Sequence, residues 1–597
     1  MIFRAVVCLW LSLLALSSVL IAPASLAAPQ DATSEERPQL QVIIEGLEDQ
    51  LLTNAKAHLA IYALHQQTVP SVFRVRYLMR QGEQELKTAL MPYGYYQTQV
   101  SYELLQEDQQ WTVRYQVNAG PISTYQTVTV TLLGEADQDT AFTRLIDDLA
   151  PTIGDPVIHR DYEAFKSRLR NLAAERGYYD AFFSRSEVAI DSANFGADLT
   201  IEFNAGPRYL FGDTLFCCAT IGAELLDRFV QYQQGSGFNT RDLLDLQVGL
   251  AASDYFNTVE ISPLWSEASD KQVPIEVTLT PNKRDRYQIG PGYGTDTGAR
   301  LTLGFDRRWL NDRGHKLSSV VRLSEVQNTG YISYIIPGRN PARDSYSFNA
   351  EVSDRSFEQQ RSTLTKASVR DIRHYDRWHR TYELSYQRED FAFGDEPRQR
   401  SNFFIPSIEW SLIESTTLEG SRNIIDDGYR ISVLLRGAHE SLVADTNVIS
   451  LKVSGKWVHR LNDKWRILAR AEVGALEADN FDLLPPTLRF FSGGDHSVRG
   501  YGFQQLGPLN EEGVVVGGRF MTANSLELDY AFQPNWRVAI FTDLGNSMRD
   551  WQESLKQTVG IGVRWVSPIG PVRLDIANAI DEPDTPWRIH FTLGPDL

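Results

Sequence analysis

Two different periods of hydrophobic residues divide this chain of 597 residues. Before residue 283, apolar residues recur at i, i+4 and i+7, as at Phe165, Leu169 and Leu172, and this spacing predicts amphipathic helices. After residue 285 that spacing stops, and apolar and polar residues alternate in short runs separated by Gly, Asp, Asn and Pro. Alternation with a period of two predicts β-strands. The chain therefore has an α+β first part and an all-β second part.

The first part contains one unit three times. Each copy places a helix end, a turn residue and aromatic residues before a strand-like run, as in "ALMPYGYYQTQVSYEL", "LAAERGYYDAFFSRSEV" and "LAASDYFNTVEISPLW". Gly94, Gly177 and Asp254 occupy the turn, and these residue types tolerate the left-handed conformation that ends many helices. We predict three tandem α+β modules. Their bounds are residues 38–120, 121–206 and 207–283.

Sixteen strand-like runs follow between Tyr287 and the C-terminus. In "SLELDYAF", Leu526 and Leu528 share one face of a strand, and Glu527 and Asp529 share the other. A soluble sandwich turns such apolar faces inward, whereas a membrane barrel turns them outward to lipid. The even number of runs and their unbroken series favour the barrel. We predict a 16-stranded antiparallel transmembrane β-barrel over residues 285–597.

Residues 1–28 have a basic start, an apolar run and the small-residue ending "PASLAAP", which predicts a cleaved secretory signal peptide. The protein is then expected to leave the cytoplasm, as a barrel of the outer membrane must. Beyond this segment the cysteines are Cys217 and Cys218. Adjacent cysteines cannot join distant segments, so a disulfide framework is excluded. We expect two buried thiols, with a strained bridge between them as the alternative.

Composition and motifs narrow the class of function. The net charge of −18 and the pI near 5.1 argue against nucleic-acid binding through a basic face. The sequence has no G-x-S-x-G or H-E-x-x-H motif, no phosphate-binding loop and no His/Cys cluster. We therefore predict no enzymatic activity, no cofactor and no metal site.

A long segment, residues 480–520, separates the eleventh and twelfth runs and contains "GGDHSVRGY". This stretch resembles the VRGF/VRGY signature of the Omp85 family, which is carried by a loop that folds back into the barrel. "FTDLG" resembles the FxDxG strand motif of that family, and "GVRWVSPIGPVRLDIA" resembles its second-to-last hairpin. The resemblance implies that the three modules are periplasmic POTRA domains.

Three POTRA modules, sixteen strands and the ending "HFTLGPDL" are similar to the TamA group of the family. That resemblance implies a role in inserting autotransporters and other barrel proteins into the outer membrane. It also implies a TamB-like partner that is anchored in the inner membrane and reaches the POTRA modules, and contact with outer-membrane lipid. Three alternatives stay open: a passive diffusion pore, a two-partner-secretion transporter, and phospholipid transport between the membranes.

The loop motif consists of Val498, Arg499, Gly500 and Tyr501. A barrel lumen of this size is polar, so an arginine that enters it requires carboxylate partners. By the alternation of the strands, Glu527 and Asp543 face inward, and we predict that Arg499 pairs with Asp543, Glu527 or both. We expect Gly500 to let the backbone pass close to the barrel wall, with Val498 and Tyr501 packed on either side.

The seam between the first and last strands is predicted to be weak. Pro291 cannot donate a ladder hydrogen bond, and the glycines of the first strand lower its stability. A seam that opens sideways offers its edge to an incoming strand. The predicted seam residues are Tyr287, Gly290, Pro291, Gly292 and Gly294 on the first strand, and Ile589, Phe591, Leu593 and Gly594 on the last.

Overall fold

A computed structural model describes residues 38–107, 109–417, 425–567, 570–582 and 587–593. The predicted signal peptide, residues 1–28, and the seam residue Gly594 lie outside the described residues. The chain divides into two compact units. One holds Met1–Leu172 and Asp180–Gly206, and the other holds Ala173–Tyr179 and Pro207–Leu597. In the ranges described, no helix combines the length and the apolar character needed to cross a membrane.

The first module, in the first unit, is a four-stranded sheet packed against two helices. Helix α2 buries Val75, Leu78 and Leu86 against Val113 and Tyr115 of the sheet, because a spacing of three to four residues places them on one face. Its elements are β1 (Gln39–Glu45), α1 (Asp49–His58), β2 (Gln67–Thr68), α2 (Val72–Leu90), β3 (Gln99–Gln106) and β4 (Gln110–Asn118). The sheet order is β2-β1-β4-β3, with β1 parallel to β4.

The second module, also in the first unit, has a three-stranded sheet in the order β5-β7-β6. Phe142 of helix α3 and Phe203 of strand β7 are both fully buried, with ring centroids 6.1 Å apart. Its elements are β5 (Thr124–Leu133), α3 (Thr140–Leu149), α4 (His159–Glu175), β6 (Phe182–Asp191) and β7 (Gly196–Asn204).

The third module belongs to the second unit and repeats the three-stranded plan, in the order β8-β10-β9. Gly94, Gly177 and Asp254, the three predicted turn residues, have φ values of 87°, 83° and 64°, so the left-handed conformation predicted for them is confirmed. The third module comprises β8 (Leu210–Cys217), α5 (Ala223–Asp227), α6 (Thr240–Ala252), β9 (Phe256–Pro263) and β10 (Gln272–Pro281).

The prediction of buried thiols is wrong. Cys217 and Cys218 are both free and exposed. Strand β8 lies at the edge of its sheet, and Cys217 is its last residue, so neither side chain is covered by a neighbouring strand.

Hydrogen bonds join the third module to the barrel within the second unit. The buried Tyr255 hydroxyl donates to the carbonyl of Gly314 at 2.5 Å, and the N–H of Gly222 donates to the carbonyl of Asp312 at 2.7 Å. Residues 310–315 connect two barrel strands, so the module is fixed to one end of the barrel by backbone groups as well as side chains.

Sixteen antiparallel strands, β11 to β26, close into a barrel in chain order, as predicted. They are β11 (Asp285–Gly294), β12 (Gly298–Arg307), β13 (Lys316–Ser324), β14 (Gln327–Pro337), β15 (Asp344–Phe357), β16 (Gln360–Tyr375), β17 (Trp378–Phe393), β18 (Gln399–Thr417), β19 (Ile425–Ala438), β20 (Val448–Arg460), β21 (Trp465–Ala478), β22 (Phe520–Gln533), β23 (Trp536–Met548), β24 (Lys556–Ser567), β25 (Gly570–Ala579) and β26 (Arg588–Leu593).

Side chains alternate along these strands as a membrane barrel requires. On β22, Leu526 is 54% exposed and points outward, whereas Asp529 is 1% exposed and points inward. Ile540 and Ile561, on the next two strands, are also exposed on the outer face. An apolar outer face with a polar interior is the pattern of transmembrane strands.

Candidate functional site: the inward loop and the barrel seam

The segment between β21 and β22, residues 479–519, folds into the barrel. Its apolar side chains Leu488, Phe490 and Val498 share one buried cluster with Phe403 of β18 and Ala579 of β25. These wall residues come from distant strands, so the loop crosses the lumen rather than lying over one edge. This geometry corresponds to the inward-folded loop that the sequence predicts over residues 480–520.

Arg499 meets both of its predicted partners. Its Nε and Nη2 donate to the two carboxylate oxygens of Asp543, each at 2.8 Å, and its Nη1 donates to Glu527 at 2.9 Å. The backbone N–H of Arg499 also donates to Asp543, at 2.9 Å. The Arg499 side chain is 7% exposed and that of Asp543 is 0% exposed. A bidentate pair in this setting is a desolvated ion pair rather than a surface contact.

Two further charged residues, absent from the sequence prediction, complete the network. Asp575 accepts a hydrogen bond from Arg499 at 3.3 Å, and Arg564 lies between Glu527 and Asp575 and bonds to both. The guanidinium of Arg499 also lies 3.4 Å from the ring centroid of Phe541. Asp575 belongs to the inward face of "VRLDIA", so the alternation of that strand was the signal that could have identified it.

Gly500 passes close to the barrel wall. Its φ is +94°, and a Cβ placed there would lie 3.2 Å from Thr558 Cγ2, so a side chain would be strained and crowded. Val498 and Tyr501, on either side of the Arg499–Gly500 pair, are 0% and 2% exposed. The four residues of the motif therefore dock as one unit against the wall.

His590, on the last strand, connects this motif to the seam. Its Nε2 accepts the backbone N–H of Gly500 at 2.8 Å, and its Nδ1 lies 2.5 Å from Asp495 Oδ1. Asp296, in the turn after β11, accepts the backbone N–H of Asp495 at 2.9 Å and a hydrogen bond from Arg588 at 3.0 Å. The loop thus holds the first hairpin and the last strand together through side chains.

Asp296, Asp495 and His590 also lie close enough to share a metal ion. Because Nε2 of His590 is occupied by the Gly500 N–H, the ring proton of a neutral histidine is placed at Nδ1. Nδ1 then donates a proton toward Asp495 and has no lone pair for a metal. The geometry is that of a hydrogen-bonded network, and it does not suit metal coordination.

The backbone ladder at the seam is short. Within the described residues, β11 and β26 pair at two positions, Tyr293 with Leu593 and Gly294 with Thr592. On its other side, β11 pairs with β12 at ten positions, from Asp285 to Gly294. One additional turn contact, between Thr295 and Phe591, extends the seam.

The remaining predicted seam residues lie beside this short ladder. Tyr287, Gly290, Pro291 and Gly292 have no ladder partner on the described part of β26. Ile589 is 55% exposed on the outer face. The rings of Tyr293 and Phe591 lie 6.1 Å apart across the seam. Most of the edge of β11 that faces β26 therefore has no partner among the described residues.

Comparison with known proteins shows what the barrel and the first module are similar to. Residues 310–596 match the family model of the Omp85 superfamily domain, and this range contains strands β13 to β26. The matched part of the barrel is similar to an Omp85 superfamily domain. Residues 41–119 match the family model of the POTRA domain TamA domain 1, so the first module is similar to a TamA-type POTRA domain.

Two curated relatives are similar to the chain over part of their own length. The chain is 30% identical over 386 residues to the outer membrane protein assembly factor BamA of Nitratidesulfovibrio vulgaris, covering 62% of this chain and 48% of that protein. It is 20% identical over 440 residues to BamA of Neisseria meningitidis, covering 62% and 54%. The chain thus spans about half the length of the curated relatives it matches.

The crystal structure of BamA from Haemophilus ducreyi lacking POTRA domains 1–3 superposes with a TM-score of 0.64 at 17% identity. The match covers 79% of this chain and 99% of that one. At this identity the similarity shows the fold alone.

Proposed function

We propose that this protein is an outer-membrane insertase of the TamA type. It assembles autotransporters and other β-barrel proteins through lateral opening of the seam between β11 and β26, with its POTRA modules in the periplasm. The observation that carries the proposal is the ladder of two positions between the described residues of β11 and β26. Unpaired backbone groups in lipid cost several kcal/mol each, so an edge that can open is a strong template for a client strand.

The geometry of β11 supports an edge that receives strands. Tyr287 and Ile289 are 73% and 75% exposed, and they belong to the part of β11 that lacks a described partner on β26. A client strand could pair there without breaking a long ladder. Both curated relatives are named outer membrane protein assembly factors, which supports the same class of activity.

The first module supports the choice of partner. Its match to a TamA-type POTRA domain favours a TamB-like protein, anchored in the inner membrane, as the periplasmic partner. Removing the first module should then abolish co-purification of that partner while the barrel still folds. Co-purification that survives this deletion would assign the contact to another module.

The test of lateral opening is a reversible lock on the seam. Tyr293→Cys with Leu593→Cys joins register partners, in a background carrying Cys217→Ser and Cys218→Ser. Oxidation should stop insertion of a client autotransporter barrel, and a reductant should restore it. The readout is the protease-resistant folded client in cells or in vesicles that contain the purified protein.

A matched lock elsewhere on the barrel serves as the control. Val433 and Val453 are register partners on β19 and β20, so Val433→Cys with Val453→Cys locks a seam that already has eleven paired positions. This variant should insert clients normally when oxidised. Full client insertion by the locked β11–β26 variant would refute lateral opening and would favour transport through the lumen. Normal client insertion in cells that lack the protein, with altered outer-membrane lipids, would favour phospholipid transport.

A further inference from the structure

The third module contains two thiols that the insertase proposal does not use. Cys217 and Cys218 are the cysteines of the described chain, and both are free and exposed at the end of edge strand β8. A structural cysteine is normally buried, since cysteine packs as a small hydrophobic residue. Exposure of both thiols is therefore the feature that requires an explanation.

The backbone departs from regular strand geometry at the second of the two cysteines. Successive side chains of a β-strand point to opposite faces, so adjacent cysteines in a regular strand would not meet. At Cys218 the backbone leaves the strand with φ +68°, a left-handed conformation that is uncommon for residues other than glycine. The Cys218 thiol, as a hydrogen-bond partner, raises the pKa of the Cys217 thiol.

We propose that Cys217 and Cys218 are a reversible redox pair, a modification site on the third module that closes to a disulfide between neighbours. The oxidant is a disulfide, either of a small thiol such as glutathione or of a thiol-oxidising protein. The pair meets such an oxidant in the cell only if the third module lies in the periplasm, as proposed above. The disulfide exchange of the purified protein does not depend on that location.

The exchange proceeds in two steps. One cysteine loses its proton and attacks the incoming disulfide, forming a mixed disulfide and releasing one thiolate. The neighbouring cysteine then loses its proton and attacks the protein sulfur of the mixed bond, closing the Cys217–Cys218 bridge and releasing the second thiolate. Two protein thiols are oxidised, one external disulfide is reduced to two thiols, and the protons pass to solvent or to the released thiolates.

Geometry makes this bridge easy to reduce. Adjacent Cα atoms lie about 3.8 Å apart across a trans peptide, whereas disulfide-bonded residues usually have Cα atoms about 4.4–6.8 Å apart. A bridge between neighbours is therefore strained, and strained, exposed disulfides are the labile ones. The pair is suited to switching and poorly suited to permanent stabilisation.

The position of the pair gives the switch a structural consequence. The chain runs from Cys218 through Ile221, which is buried in the core of the module, to Gly222, whose N–H donates to Asp312 of the barrel. Closing the bridge fixes the turn at the start of this connection. Oxidation is therefore expected to slow hydrogen exchange across residues 218–222.

The test uses the purified full-length protein in detergent, equilibrated in glutathione buffers of graded ratio, acid-quenched and alkylated. Trypsin releases residues 209–228 as one peptide, because Arg208 and Arg228 flank the pair. We expect this peptide to change from doubly alkylated to unalkylated across the series, with the mass of two hydrogen atoms lost, and to return fully on dilution into reductant. The single variants Cys217→Ser and Cys218→Ser should instead retain one glutathione as a mixed disulfide.

Two results would overturn the proposal. One is a wild-type peptide that stays doubly alkylated at every ratio. The other is accumulation of mixed disulfides or of disulfide-linked dimers in place of the internal bridge. Both results are measured on purified protein, without a client protein or a membrane. The disulfide lock of the β11–β26 seam is tested in a variant that lacks Cys217 and Cys218. Failure of the redox pair and failure of the insertase proposal are therefore distinguishable.

Discussion

The ion pair between Arg499 and Asp543 allows a quantitative test of how the loop is held. Arg499→Met keeps much of the side-chain volume and removes the positive charge. Asp543 then loses both side-chain hydrogen bonds from Arg499, each 2.8 Å long, and keeps the bond from the backbone N–H at position 499. The Asp543 side chain is 0% exposed, so water cannot replace the lost guanidinium without rearrangement of the loop.

Burial sets the magnitude of this effect. Removing one partner of a buried ion pair costs about 3–5 kcal/mol, because the other charge is left uncompensated. Glu527 and Asp575 keep Arg564, so most of the cost arises at Asp543. Adding Asp543→Asn to Arg499→Met removes that stranded charge and should recover a large part of the lost stability. A double-mutant cycle then isolates the pairwise coupling free energy.

The assay is urea unfolding of the barrel in lipid vesicles, followed by tryptophan fluorescence and by heat-dependent mobility in gels. Arg400→Ala is the matched control. Arg400 and Asp390 form a pair of 2.6 Å, but the Arg400 side chain is 57% exposed, and such a pair contributes about 1 kcal/mol or less. Equal, small losses of unfolding free energy in Arg499→Met and Arg400→Ala would refute the claim that burial gives the Arg499 pair its strength.

Two further substitutions test how the loop meets the wall and the seam. Gly500→Ala should lower the free energy of unfolding by about 1–3 kcal/mol because of strain at positive φ, with added crowding. Gly513→Ala, at φ +78° with open space around it, should be milder, and equal effects would show that crowding at Gly500 is unimportant. His590→Leu removes the contacts to Gly500 and Asp495 and should speed hydrogen exchange at residues 293–295. The control, His459→Leu, changes an exposed histidine and should leave exchange at these residues unchanged. Unchanged exchange in His590→Leu would show that the seam does not depend on the loop.

The strands of this barrel and the faces of their side chains could be predicted because the signal for each strand lies within its own sequence. Alternation with a period of two places Leu526 outward and Asp529 inward whatever the partner strand, and sixteen such runs imply closure. The turn residues of the three modules follow from the same local reasoning, since Gly94 and Gly177 stand where a left-handed residue ends a helix. The exposure of Cys217 and Cys218 could not be predicted in this way, because burial at a sheet edge depends on which neighbouring elements cover that edge.

The sequence by itself determined which side chains face the lumen, and so it limited the partners of Arg499 to inward carboxylates. Only the tertiary structure decided that Arg499 reaches Asp543 with two bonds and shares Glu527 with Arg564. It also placed His590 between the loop and the seam. Alternation fixes the face of a residue but not its height or its neighbour around the barrel. Those depend on strand register and on the path of a long loop, which contacts distant in sequence establish together.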